Sequence, residues 1–232
     1  TLFPYTTLFQ SETSKETYNE NVASMEEMLE NINDEFARVE VDDSLTINEP
    51  ARLHYKGLSQ FASSMRTSTS GFMQAMGLEA EEHGNRAVYV PTDPVTNAIF
   101  NIKYMVSKYG NFRDSDFRKI KSNQKSTLYE SKYPLAVGYM ASRSLNTFGA
   151  EAANPFENLN DYVRLATENE CQDVLLDAGE FKAKGQNADI TDEAYGYYYA
   201  EKVRNKYDCD LRLTFDSDKT QKYYVFIDEA QY

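Results

Sequence analysis

NPFENLNDYVRLAT, residues 154–167, carries the clearest local signal in the chain. Asn154 can cap a helix through its side-chain oxygen. Pro155 suits the first turn, where its missing N–H costs nothing, and Glu157 stands at the capping-box position. Phe156, Leu159, Tyr162, Val163 and Ala166 then share one face at helical spacing. The pattern predicts a helix that begins at 155 and ends near Thr167. The chain after this helix reads as mostly β, and the chain before it alternates helices with strands.

Towards the C-terminus, Val174–Leu176 is a short apolar run. Tyr195, Tyr197 and Tyr199 alternate, which favours a strand, although Ala194–Asn205 also fits a helix. Leu211–Phe215 and Tyr223–Ile227 read as two strands around the polar turn Asp216-Ser217-Asp218-Lys219. A lone hairpin is marginal, so its partners are expected earlier in the chain or beyond its end.

Towards the N-terminus, Leu135–Met140 alternates and reads as a strand, as does Thr127–Glu130. Gly110–Lys125 is polar and reads as irregular. Ile102–Ser107 reads as a buried strand. Asp93-Pro94 is a helix start, and that helix runs to Ile99 or Asn101. Thr67–Met76 reads as a short helix closed by Gly77, a C-cap position that tolerates positive φ. His54–Met65 is a Gly- and Ser-rich loop with aromatics of buried type. Phe36–Val41 reads as a strand and Thr17–Ile32 as a helix with Val22, Met25, Met28 or Leu29, and Ile32 on one face. The fold class is therefore α+β: a mixed α/β part over 12–168, then a β-rich, sandwich-like part over 169–232 that reads as truncated. The opening TLFPYTTLFQS, residues 1–11, resembles a translated adaptor artefact or a scar and is left out of the fold.

The chain has 232 residues, enough for one large domain or two small ones, and 41% of them are hydrophobic, so a packed core is expected. Its net charge of -13 repels nucleic acid and an anionic lipid surface alike, so nucleic-acid binding is not expected. No apolar run reaches the roughly 18–20 residues of a membrane span. The 18 tyrosines suit half-buried strand faces and also polymer-binding faces, and the first reading is favoured. Cys171 and Cys209 lack metal-site or CxxC spacing; a disulfide in an oxidising compartment and two buried thiols both stay open.

Tests for chemistry find little. His54 and His83 are the only histidines, and neither adjoins a G-x-S-x-G elbow; Gly57-Leu58-Ser59-Gln60 does not match one. The carboxylate pairs Asp42-Asp43, Asp114 with Asp116 and Asp216 with Asp218 fall in turns. Asp216-Ser217-Asp218 lacks the Gly and distal Glu of a calcium loop. Gly179–Gly185 holds no phosphate-cradling pattern. No catalytic, cofactor-binding or metal-ligating residue is assigned, and no cofactor is expected.

Five segments in order carry a family resemblance: HYKGLSQFASSM (54–65), MGL (76–78), PVTNAIFNIKYMVSK (94–108), LYESKYPLAVGYM (128–140) and NPFENLNDYVRLAT (154–167). Together they resemble the YfhO family of bacterial membrane proteins, well over about Tyr18–Thr167 and weakly beyond. The resemblance implies a soluble extracytoplasmic domain of a polytopic protein at the cell membrane. It implies a parent similar to glycosyltransferases that take sugar from a polyprenyl-phosphate carrier and glycosylate cell-wall polymers such as lipoteichoic acid in Gram-positive bacteria. The implied partners are the transmembrane portion of the same protein, the lipid-linked sugar and the polymer. The implied role is to position acceptor or donor, with the catalytic acid in the membrane portion. No catalytic residue carries over onto this chain. Two alternatives remain: a carbohydrate-binding module, with Tyr195, Tyr197, Tyr198 and Tyr199 as stacking surface, and a purely structural assembly module.

Overall fold

The computed structural model describes residues 15–42, 44–80, 84–108, 112, 114–152, 154–169, 173–175, 181–192, 198–216 and 222–226. The chain divides into two compact units, Thr1–Val174 and Leu175–Tyr232. Helices and small sheets are mixed throughout the first unit, as expected for an α+β fold.

The first unit is built on a four-stranded sheet of β1 (Arg38–Val41), β5 (Ile102–Lys108), β7 (Ser126–Ser131) and β6 (Phe117–Ser122), in that order. β1 and β5 run parallel, while β5–β7 and β6–β7 are antiparallel. A parallel pair cannot be joined by a tight turn and needs a crossover. Here the crossover is a subdomain: α2 (Glu49–Arg52), β2 (Gln60–Phe61), α3 (Thr67–Ala75), β3 (Glu79–Ala80), β4 (Arg86–Val88) and α4 (Pro94–Ile99). Its strands form a small antiparallel sheet in the order β2-β4-β3.

Helix α1 (Lys15–Leu29) covers one face of the main sheet. Met25 and Met28, three residues apart, are fully buried there with Val39, Val41, Leu53, Val106 and Leu128. Each such side chain taken from water contributes roughly 1.5–3 kcal/mol before entropy is counted. Polar contacts tie the same helix to the β6–β7 hairpin. Asn123 Oδ1 accepts from the backbone N–H of Lys125 (3.0 Å) and Ser126 (2.8 Å), and its amide donates to Ser24 O (3.1 Å) and Glu27 Oε2 (2.8 Å).

Most predicted starts and stops are found. Asp93 caps α4, its Oδ1 accepting from Val95 N and Thr96 N at 2.8 and 2.9 Å. Gly77 closes the turn after α3 at φ 88°. Helix α5 spans Pro155–Thr167, with Asn154 Oδ1 accepting from Phe156 N at 2.9 Å.

Three expectations are corrected. The polar stretch 110–125 contains β6, an edge strand in which Phe117 alone is buried; a water-facing strand with so few apolar residues has the composition of irregular chain. Leu135–Met140 is no strand: it has no ladder partner and lies exposed between β7 and a 3-10 helix, Arg143–Thr147. Finally, Leu211–Phe215 does not pair with 223–226, which form no strand.

In the second unit, β11 (Asp210–Phe215) pairs antiparallel with β8 (Phe181–Gln186), and β10 (Tyr198–Lys202) with β9 (Ala188–Asp192). Gln186 faces Asp210 and Ala188 faces Lys202. One long hairpin is thus interrupted where Asn187 opposes residues 203–209. Asn187 sits at φ 56°, and its Nδ2 lies 2.9, 3.1 and 3.2 Å from the carbonyls of Arg204, Tyr207 and Asp208. A short polar side chain that tolerates the left-handed region can both turn its own strand and hold the excursion opposite.

Candidate functional site

The most elaborate polar arrangement lies under the HYKGLSQ segment. Glu40 falls between Val39 and Val41 in β1. Those two valines join the core under α1, so strand alternation turns the Glu40 carboxylate to the other face. There the loop folds over it, and Glu40 is only 1% exposed. Its Oε1 accepts from the N–H of Leu58 and, at 3.4 Å, of Ser59; its Oε2 accepts from Ser59 Oγ at 3.2 Å. Ser59 Oγ accepts in turn from the N–H of Tyr89 at 2.9 Å, and Tyr89 OH donates to Asn97 Oδ1 at 2.8 Å. The relay links β1, the loop, the strand end after β4, and α4.

Burial pushes the Glu40 carboxyl up to about 7, against the pull of the Leu58 and Ser59 hydrogen bonds and of the Arg38 charge. Burial also raises the phenols of Tyr55 and Tyr89 far above their ordinary value, and the Glu40 charge adds to both shifts. Glu49 in α2 is fully buried as well, with Oε1 accepting from Leu45 N–H at 3.2 Å. Gly57 lets the loop pass this close to α2: a Cβ there would stand 2.6 Å from Pro50 Cγ.

A carboxyl that titrates near neutrality is a property of general acids and bases. Geometry decides against that role for Glu40. Both oxygens are engaged by the loop, and the group is sealed from solvent. The arrangement holds HYKGLSQ against the sheet.

The family described as bacterial membrane protein YfhO matches residues 4–231. The chain belongs to the YfhO family. No match was found among curated proteins or solved structures.

The second, third and fifth of the segments that resemble the YfhO family meet in the fold. Asn158 of the fifth, 1% exposed, donates to Ala75 O (2.8 Å) beside MGL and to Ala152 O (2.9 Å), and accepts from Ala152 N (3.0 Å). Pro155 lies beside Gly77, where a Cβ would come within 3.5 Å of it. Thr96 Oγ1, in the third segment, lies 3.2 Å from Met76 O and 2.7 Å from Asp93 Oδ2. These segments pack α3, α4 and α5 together, and Glu40, outside them, receives the first.

The residues weighed from sequence are not brought together. His54 is an exposed turn residue at φ 58°. Asp42 accepts from Ser107 Oγ (2.5 Å) and Lys108 N (3.1 Å) and so ends the β1–β5 ladder. Asp114 accepts from Asp116 N at 2.8 Å in the turn before β6. Cys209 is an exposed free thiol. Tyr198 is half-buried and Tyr199 exposed on β10. His83, Asp43, Asp218, Cys171, Tyr195, Tyr197 and residues 1–11 lie outside the described residues. Among the described residues no group of His, Cys, Asp and Glu is placed to hold a metal ion, and no helix is long and apolar enough to cross a membrane.

Sequence reasoning missed Glu40. The signal was there: an acid flanked by two valines in a strand of buried type, facing a Gly-Leu-Ser loop.

Proposed function

We propose that this chain is the extracytoplasmic portion of a YfhO-family membrane glycosyltransferase acting on cell-wall polymers of the lipoteichoic-acid type. Its role is to position the acceptor polymer or the polyprenyl-phosphate-linked donor over a site in the transmembrane portion of the same protein. The observation that carries this reading is the family match over residues 4–231. The geometry supports an accessory role: Glu40, an acid pushed up to about 7 by burial, is sealed beneath a loop rather than offered to a substrate. The experiment is a transfer assay with a radiolabelled polyprenyl-phosphate sugar. The purified 232-residue chain is expected to show no transfer, and the full-length protein is expected to lose transfer when this segment is deleted but its membrane insertion persists. Turnover by the chain alone, or full transfer without it, overturns the reading.

A second reading, a non-catalytic carbohydrate-binding or assembly module, draws on the exposed rings of Tyr199 and Tyr207 in the second unit. Titration with cell-wall glycans separates it from the first, since saturable binding that Tyr199→Ala abolishes belongs to a binding module.

A further inference from the structure

Residues 132–143 read Lys-Tyr-Pro-Leu-Ala-Val-Gly-Tyr-Met-Ala-Ser-Arg. All of Lys132–Ala141 is exposed; Val137 is 61% exposed and Met140 completely so. Large apolar side chains scattered singly on a surface need no explanation, but a continuous run does. This run is also held in place. At its start Lys132 N–H donates to Asp116 O at 2.8 Å, and its ammonium donates to Ser115 O at 2.6 Å. At its end the Tyr139 hydroxyl bonds that of Tyr162 on α5, whose ring packs edge-on against Phe148, and Ser142 N–H donates to Ala166 O at 2.9 Å. The fold therefore presents apolar side chains to the outside from a tethered loop.

The order of residues identifies the medium. Bases stand at both ends, a tyrosine stands inside each base, and Leu135, Ala136, Val137 and Met140 stand between or beside the rings. Bases, amphipathic rings and aliphatics are the sequence of chemistries met on entering a bilayer: phosphates, interface, hydrocarbon. Two acids flank the loop and are engaged within the fold. Glu130 is paired with Arg118, and Glu168 accepts from Ser142 at the loop's far end.

We infer that Tyr133–Ala141 is a membrane-contact loop that inserts Val137 and Met140 into the interfacial layer of a phospholipid bilayer, with Lys132 and Arg143 at the lipid phosphates. The inference rests on the reading that this segment works at the membrane, and not on sugar transfer. Because the whole chain carries a charge of -13, approach to lipid is opposed at long range, and contact is led by apolar insertion.

The chain contains no Trp, so one introduced residue reports alone. Met140→Trp, at a fully exposed position, is expected to shift its emission to the blue on mixed phosphatidylcholine–phosphatidylglycerol vesicles and to be quenched by brominated lipid. Phe36→Trp, exposed elsewhere on the same unit, is expected to do neither. Adding Val137→Asp to the Met140→Trp chain is expected to weaken vesicle binding at least tenfold with the circular dichroism unchanged. Three results overturn the inference: an unshifted Met140→Trp spectrum on vesicles, an equal shift at Phe36→Trp, or a blue shift that grows with protein concentration without lipid, which assigns the loop to a second copy. Turnover by the chain alone, or full transfer by a protein lacking it, found while this shift persists, would count against the proposed function alone.

Discussion

At the scale of single residues, Glu40 is where burial and hydrogen bonding pull in opposite directions. Burial disfavours the charged form more than the donors from Leu58 and Ser59 favour it, so the folded carboxyl titrates at about 7 against an ordinary value of 4.5. The sign follows from proton counting. Between those two values the folded chain holds a proton that the unfolded chain has released, so stability falls as pH rises through that window and is flat above it. The full difference is on the order of 3 kcal/mol. Glu40→Gln removes the titration while keeping an oxygen for the Leu58 N–H. Urea unfolding near pH 5 and near pH 8 should therefore show a smaller loss of stability for Glu40→Gln than for the parent chain. Equal losses in the two chains would mean that Glu40 is ionised throughout or solvated.

At the scale of elements, the interrupted hairpin makes a sharper claim than any single contact. Asn187 supplies both a left-handed backbone turn and the amide that holds the 203–209 excursion. The two contributions separate by substitution. Asn187→Gly keeps the backbone freedom and loses the amide, whereas Asn187→Ala loses both. Hydrogen exchange across 203–209 should accelerate in either variant, and the flanking β8–β11 amides should accelerate in Asn187→Ala beyond the change in Asn187→Gly. Unchanged exchange in 203–209 would show that Val203 N–H to Asn187 O, a backbone bond of 3.1 Å, suffices to hold it. The contrast with other elements shows what sequence can carry. Helix starts such as Asn154-Pro155 and Asp93-Pro94 are legible because caps and proline act within a few residues. The β6 strand is not, since its water-facing residues leave only Phe117 as a core signal. Leu135–Met140 misleads for the opposite reason: alternation is present, but no strand lies beside it to make a ladder. The pairing of β11 with β8 is beyond reach, because register across roughly 30 residues depends on Asn187 and on a loop whose length no periodicity announces. The candidate site shares this limit: the Gly- and Ser-rich composition marks the loop, but the acid it closes upon comes from a strand 18 residues earlier.

At the scale of the whole molecule, charge is the dominant long-range term. Acids outnumber bases 37 to 24, which leaves an excess of 13 negative charges. The ion pairs among described residues are mostly at the surface, such as Lys121–Glu27 at 3.1 Å and Arg86–Glu79 at 3.8 Å, and pairs of that kind contribute about 0–1 kcal/mol each. Self-repulsion acts over the whole surface and is reduced by salt, whose screening length shortens from ~30 Å at 0.01 M to ~10 Å at 0.1 M. Two effects then compete: salt weakens the pairs, which among the described residues are mostly exposed, and weakens the repulsion, which is collective. Repulsion should win. The urea midpoint is expected to rise as sodium chloride goes from about 0.01 to about 0.1 M, with m unchanged. A falling midpoint would mean that the surface pairs outweigh the net charge. The same screening bears on the membrane-contact loop, because it lowers the barrier between an acidic chain and a phosphate surface while leaving apolar insertion untouched. Vesicle binding read at Met140→Trp should accordingly hold or strengthen over that salt range, whereas contact led by Lys132 and Arg143 alone would weaken.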